Sequence, residues 1–185
     1  MDHITETAIK LRNSYSRINV IQMAEDIGCR VDFRNYKKQR GFSFYCLKLY
    51  TICCNVNLGD IGKKETIAHE LAHIIFHKEL LRKLSKNHEG LSQYSFFNMV
   101  DLTEIEANRF AAYLLANPEE LLEYLMEGHT LTECSKNMGI HVPFLNILAK
   151  DMQKEGIIPA HFDLYVPPRF LKDLSIDIDD YFTHD

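Results

Sequence analysis

The sequence predicts an α+β protein in which a small antiparallel sheet packs on a helical core and further helices follow. Three observations carry that expectation. Between Cys29 and Leu58 the chain is rich in β-branched and aromatic residues, interrupted by glycine and asparagine. On both sides of this stretch, apolar residues recur at helical spacing. One of the helical stretches, Ile67 to His77 (IAHELAHIIFH), sets three histidines and a glutamate in an otherwise apolar run.

In chain order, Ile4, Ala8 and Leu11, then Val20, Met23, Ala24 and Ile27, mark two short helices broken near Asn13 to Ser16. Gly28 ends the second. The strands are expected in CRVDFR, GFSFYCLKLY and YTICCNVNL, with breaks at Gly41 and between Asn55 and Gly62. From Lys63 to about Arg82 one helix is expected, because no Gly or Pro interrupts it. Ser85 to Asp101 is polar with little periodicity and reads as a loop. Thr103 then heads a second strong helix, EIEANRFAAYLLA, stopped by Asn117-Pro118. EELLEYLMEG, LTECSKNMG and PFLNILAKDMQKEG follow as three short helices separated by glycines. The tail after Ile157 holds Pro159, Pro167 and Pro168 and ends in the acidic SIDIDDYFTHD, where strand and coil remain equal choices. We divide the chain into one domain over residues 1–128 and a helical, helix-turn-helix-like extension with an acidic tail over 129–185, packed on the same domain.

Composition bounds the function. A chain of 185 residues can bury a real core. A net charge of −5 gives no general attraction to phosphate backbones, so a nucleic-acid partner needs a local basic patch. No apolar run approaches the roughly 20 residues needed to cross a bilayer. The N-terminus lacks the basic-then-apolar order of a signal peptide, so the expected location is the cytoplasm, with no membrane partner. Five cysteines, odd in number and without CxxC spacing, argue against both a disulfide framework and a cysteine zinc site.

On a helix, His69 and His73 fall about 40° apart in projection and on adjacent turns, so both imidazoles can meet one ion. Glu70 is turned about 100° from His69, which suits a carboxylate facing a water at the metal. This is the HExxH pattern, read as zinc ligand, general base and zinc ligand. The pentapeptide is short enough to arise by chance, and an amphipathic helix with histidines satisfied in the core is the bland alternative. Its apolar flanks (Ile67, Leu71, Ile74, Ile75) favour a rigid, buried site. His77 continues the four-residue series but lies two turns, about 12 Å, from His69, too far to share one tetrahedral ion. It is expected to pack or to support a ligand.

Catalytic zinc takes a third protein ligand. Glu104 and Asn108 share a helix face, so one can bind zinc while the other reaches behind a ligand histidine and fixes its tautomer. Glu104 is the first choice for the ligand and Glu106 the second. An acidic helix N-terminus favoured by the macrodipole is the alternative for both.

The pair KETIAHELAHIIFH and EIEANRFAAYLLANPEEL resembles the ImmA/IrrE family of metallopeptidases, over most of the chain. The resemblance implies a zincin-like α+β fold, with His69, His73 and Glu104 holding one Zn2+ and Glu70 as the catalytic carboxylate. It further implies cytosolic cleavage of a regulatory protein, often a helix-turn-helix repressor of a phage, mobile element or stress response. Ala72 stands where the family usually has Gly, and LLANPEEL replaces the usual Leu-Leu-Met-Pro.

Tyr94, Tyr113, His129 and His141 are candidates to stabilise the oxyanion, unranked by sequence. Leu131 to Leu145 has helix-turn-helix spacing, but its second helix carries Lys150 and Lys154 against Asp151 and Glu155, with no Arg for bases or phosphates. Two alternatives to a peptidase therefore stand: a metal-binding partner or sensor protein that does not cleave, and a DNA-binding regulator.

Overall fold

Asp2 opens the fold by accepting the Thr5 N–H at 2.8 Å, capping helix α1 (His3–Asn13). The computed structural model describes residues 2–86 and 93–159. Asn19 caps α2 (Val20–Asp26) in the same way, and Gly28 leaves it with φ +87°, a conformation that suits glycine. Strands β1 (Cys29–Arg34), β2 (Gly41–Cys46) and β3 (Leu49–Asn55) form one sheet in the order β1-β3-β2.

The α+β class is as expected, but the sheet is mixed. β2 pairs antiparallel with β3, from Gly41 opposite Cys54 to Cys46 opposite Leu49, whereas β1 runs parallel to β3 from Cys29 beside Tyr50 to Arg34 beside Asn55. The cause is burial: β3 is buried along its last five residues, so it takes the centre and the more polar β1 and β2 become its edges. Leu47 and Lys48 turn the β2–β3 hairpin with φ of +50° and +66°, a conformation in which Asn and Gly are the usual residues. Asn55 holds the β1–β2 link, donating to the Tyr36 and Gln39 carbonyls at 2.8 Å each. Gly41 opens β2, where the break was expected. A Cβ there would stand 2.5 Å from Thr66 Cγ2 and 2.6 Å from the Cys53 carbonyl oxygen, so glycine lets the strand lie against the next helix.

That helix, α3 (Asp60–Phe76), runs through the core with Ile67, Ala68, Leu71, Ala72 and Ile74 at most 1% exposed. The single helix expected to about Arg82 is interrupted at His77 (φ −114°, ψ 27°), and α4 (Lys78–Lys86) follows as a separate helix. The loop expected over Ser85 to Asp101 is also corrected where it is described: α5 (Gln93–Leu115) begins ten residues before Thr103, which lies buried within it. Small residues at four-residue spacing, Ala68 and Ala72 on α3 and Ala107 and Ala111 on α5, are fully buried and suit close approach of these two packed helices.

Asn117 caps α6 (Pro118–Met126), with Pro118 in its first turn. A capping box of Thr130 and Glu133 starts α7 (Leu131–Met138), and Gly139 at φ +62° turns the chain into α8 (Val142–Lys154). α8 packs on α5, where Arg109 and the Tyr113 hydroxyl both donate to Asp151 Oδ2. A longer link crosses the chain from α3. Glu65, 1% exposed, accepts the His141 backbone N–H at 2.7 Å and the His141 Nδ1–H at 2.6 Å, with Arg40 Nη2 at 3.5 Å. The proline-containing acidic tail beyond Pro159 lies outside the described residues. Among the described residues, no helix is long and apolar enough to cross a membrane.

Candidate metal centre

α3 carries His69, Glu70 and His73 into the interior at 8%, 3% and 8% exposure. The four-residue step aligns the two rings, and their Nε2 atoms stand 3.1 Å apart. From the facing helix α5, Glu104 sets Oε2 3.1 Å from His69 Nε2 and Oε1 3.1 Å from His73 Nε2. One ligand atom from each of these three residues lies within 4.8 Å of the others. The sequence-expected residues His69, His73 and Glu104 are thus brought to one point.

The arrangement fits a divalent cation. Glu104 Oε2 is buried and has no hydrogen-bond partner among the described residues, although His69 Nε2 is close. The contact therefore brings an acceptor towards a nitrogen without hydrogen-bond geometry, a crowding that a shared cation relieves. Two imidazole nitrogens and one carboxylate oxygen also form a donor set suited to zinc with an open position.

Electrostatics agree. Burial alone would raise the Glu104 carboxyl, but the adjoining His69 and His73 rings outweigh it and hold the group well below the usual carboxylate range. Burial likewise disfavours charge on His69, yet Glu104, the charge of Glu70 and Asn108 raise it above its ordinary value. Both shifts mark a point that attracts positive charge, which a proton or a metal ion can supply.

Behind the ligand atoms stand further partners. Asn108 Oδ1 lies 2.9 Å from His69 Nδ1, on the side of the ring away from Glu104. His77 Nδ1 lies 3.0 Å from His73 Nδ1, and Glu106 Oε2 lies 2.8 Å from His77 Nε2. Burial, outweighing Glu106, lowers the His77 pKa below its ordinary value. Glu106, the second choice for a ligand, therefore sits against His77 and away from the three-residue cluster. The only sequence signal for this chain is the four-residue step from His73 to His77. The Glu106 contact depends on packing between α3 and α5.

The oxyanion candidates separate. The Tyr113 hydroxyl donates to Asp151, and His129 Nδ1 lies against the Tyr124 carbonyl. His141 is tied to Glu65, one turn before His69 on α3, and the Tyr94 side chain lies outside those described. Cys53 and Cys54, in β3, are buried and free, and burial pushes the Cys54 thiol up to about 11.

A peptidase family model described as the IrrE N-terminal-like domain matches residues 24–147. No curated protein matches the chain. Among solved structures, a Mycobacterium tuberculosis transcriptional regulator is similar with a TM-score of 0.58 at 13% identity, over 88% of this chain and 50% of that one. This likeness is one of fold, and the chain spans half the regulator's length.

Proposed function

The chain belongs to the peptidase family of the IrrE N-terminal-like domain, and on that premise we propose that it is a zinc-dependent metallo-endopeptidase cleaving a regulatory protein. The observation that carries this reading is the convergence of His69, His73 and Glu104 from two packed helices, with a buried carboxylate oxygen that lacks a hydrogen-bond partner among the described residues. His69, His73 and Glu104 would hold the ion. When bound, zinc supplies Lewis acidity for the scissile carbonyl and brings the pKa of a water towards about 7.

The protein's own groups do the rest. Asn108 and His77 orient the two ligand rings from behind. Glu70, buried beside His69, accepts the proton of the attacking water and returns it to the leaving amine. We assign the substrate to a helix-turn-helix repressor acted on in the cytoplasm, as the family resemblance implies. A DNA-reading role has less support. α8 buries Pro143 to Asn146, Leu148, Ala149, Asp151 and Met152, so its exposed cations are Lys150 and Lys154 beside Glu155.

Elemental analysis of the untagged protein is expected to find about one zinc per chain. Chelation should abolish its hydrolysis of fluorescein-labelled casein, and added zinc should restore it. A chain that takes up no zinc after reconstitution sinks the peptidase reading.

A further inference from the structure

The sheet has two faces, and the helix of the metal centre packs on only one of them. Side chains alternate along a strand. On the first face, a Cβ at Gly41 would meet Thr66 of α3, and Lys78 and Arg82 of α4 lie over the Tyr50 ring at 5.9 and 5.8 Å. The strand register then sends Arg30, Asp32 and Arg34 of β1, Phe42 and Phe44 of β2, and Thr51 and Cys53 of β3 to the opposite face. There the Arg30 and Arg34 side chains are 60% and 63% exposed, and Phe44 is 36% exposed.

Although the chain carries a net charge of −5, the stretch from Arg30 to Lys48 holds six lysines and arginines against one acid, Asp32, and interleaves them with five aromatic residues. Arg40 is turned away to the buried Glu65. Asp32 Oδ1 lies 2.8 Å from Arg30 Nε and its Oδ2 3.8 Å from Arg34 Nη2, so one carboxylate aligns two guanidinium groups on the face and balances only one of them. Each guanidinium has five N–H donors, so most are left for an outside acceptor. On the other side of β3, the Phe42 ring stands 5.5 Å from that of Tyr36 and 5.9 Å from that of Phe44, and the Tyr36 hydroxyl reaches the Cys53 thiol. A row of rings thus runs along the β2 side and a row of cations along the β1 side, two strand spacings or about 10 Å apart.

We propose that this outer face of the sheet binds single-stranded nucleic acid. Unpaired bases stack on aromatic rings whatever their identity, and phosphates match the planar fork of a guanidinium. A single strand carries bases to one side of its sugars and phosphates to the other, as the face carries rings on one side and guanidinium groups on the other. A duplex keeps its bases paired inside and offers the rings nothing to stack on. An acidic polypeptide answers the cations but supplies no series of flat rings. The inference is independent of the metal reading, because the site lies across the sheet from α3.

The test titrates the full chain into fluorescein-labelled oligothymidylate and oligouridylate of about 16 nucleotides and reads fluorescence anisotropy at several salt concentrations. Both single strands are expected to bind, and tighter binding of one names DNA or RNA as the source. If Arg30 and Arg34 each neutralise one phosphate, log affinity falls with log salt at a slope of about −1.4, and Arg34→Gln lowers that slope by about 0.7. Phe44→Ala is expected to weaken binding about 5- to 150-fold through lost stacking, whereas Phe44→Tyr keeps it. Phe44 is partly exposed, so neither change threatens the fold. Three results each overturn the proposal. The parent binds neither strand at low salt; or a duplex of the same length binds as tightly as the single strands; or Phe44→Ala binds like the parent while polyglutamate displaces the probe, which would give the face to an acidic polypeptide.

Discussion

Glu70→Gln is expected to bind zinc like the parent and to hydrolyse peptide bonds at least about 10²- to 10⁴-fold more slowly, the range of a positioned general base. The substitution keeps the shape of a side chain at 3% exposure, so the packing of α3 against the sheet and α5 is retained. It leaves His69, His73 and Glu104 untouched. What it removes is the capacity to accept and return a proton. Initial rates on labelled casein, measured at equal zinc loading, check it. Equal rates would take the base assignment away from Glu70, while parental zinc affinity with lost turnover separates chemistry from binding.

Glu104→Ala is expected to weaken zinc binding by more than the 10- to 100-fold typical of removing a partner behind a ligand, because it removes a ligand itself. The loss should also be visible in stability. An ion that binds only the folded chain stabilises it by about 4 kcal/mol when present at 1,000 times its dissociation constant. Thermal unfolding with and without zinc should therefore show a clear shift for the parent and little or none for Glu104→Ala. The same zinc-induced shift in both would mean that Glu104 is not a ligand.

The legible parts of the site were those that a helix translates directly. His69 and His73, and likewise Glu104 and Asn108, are four residues apart, and four residues on a helix share a face. Which helices pack together is another matter, and the meeting of α3 with α5 became plausible only because each carried half of a donor set. The partnership of His77 with Glu106 was not legible, since it depends on a break in α3 and on a contact 29 residues away. In the sheet, the strand segments followed from β-branched and aromatic content. The parallel pairing of β1 did not, because it depends on β3 rather than β2 lying between the other two strands. The Leu47-Lys48 turn carries neither Gly nor Asn, so its positive φ values had no local signature. Likewise, the start of α5 at Gln93 lies in a polar stretch with weak periodicity.

The carboxylate of Glu65 limits how far the chain can be trimmed. Shortened to its first 128 residues, the protein would keep Glu65 in the interior, one turn from His69, but lose both His141 donors and retain only Arg40 at 3.5 Å. Removing hydrogen bonds from a buried carboxylate costs about 1.5–3 kcal/mol each, a large fraction of the roughly 5–15 kcal/mol that holds a domain folded. The same cut bares the side of α5 on which α8 rests. A minimal, transplantable version of this site must therefore extend through α8, and natural deletions are expected to stop short of His141 only where another residue has come to neutralise Glu65.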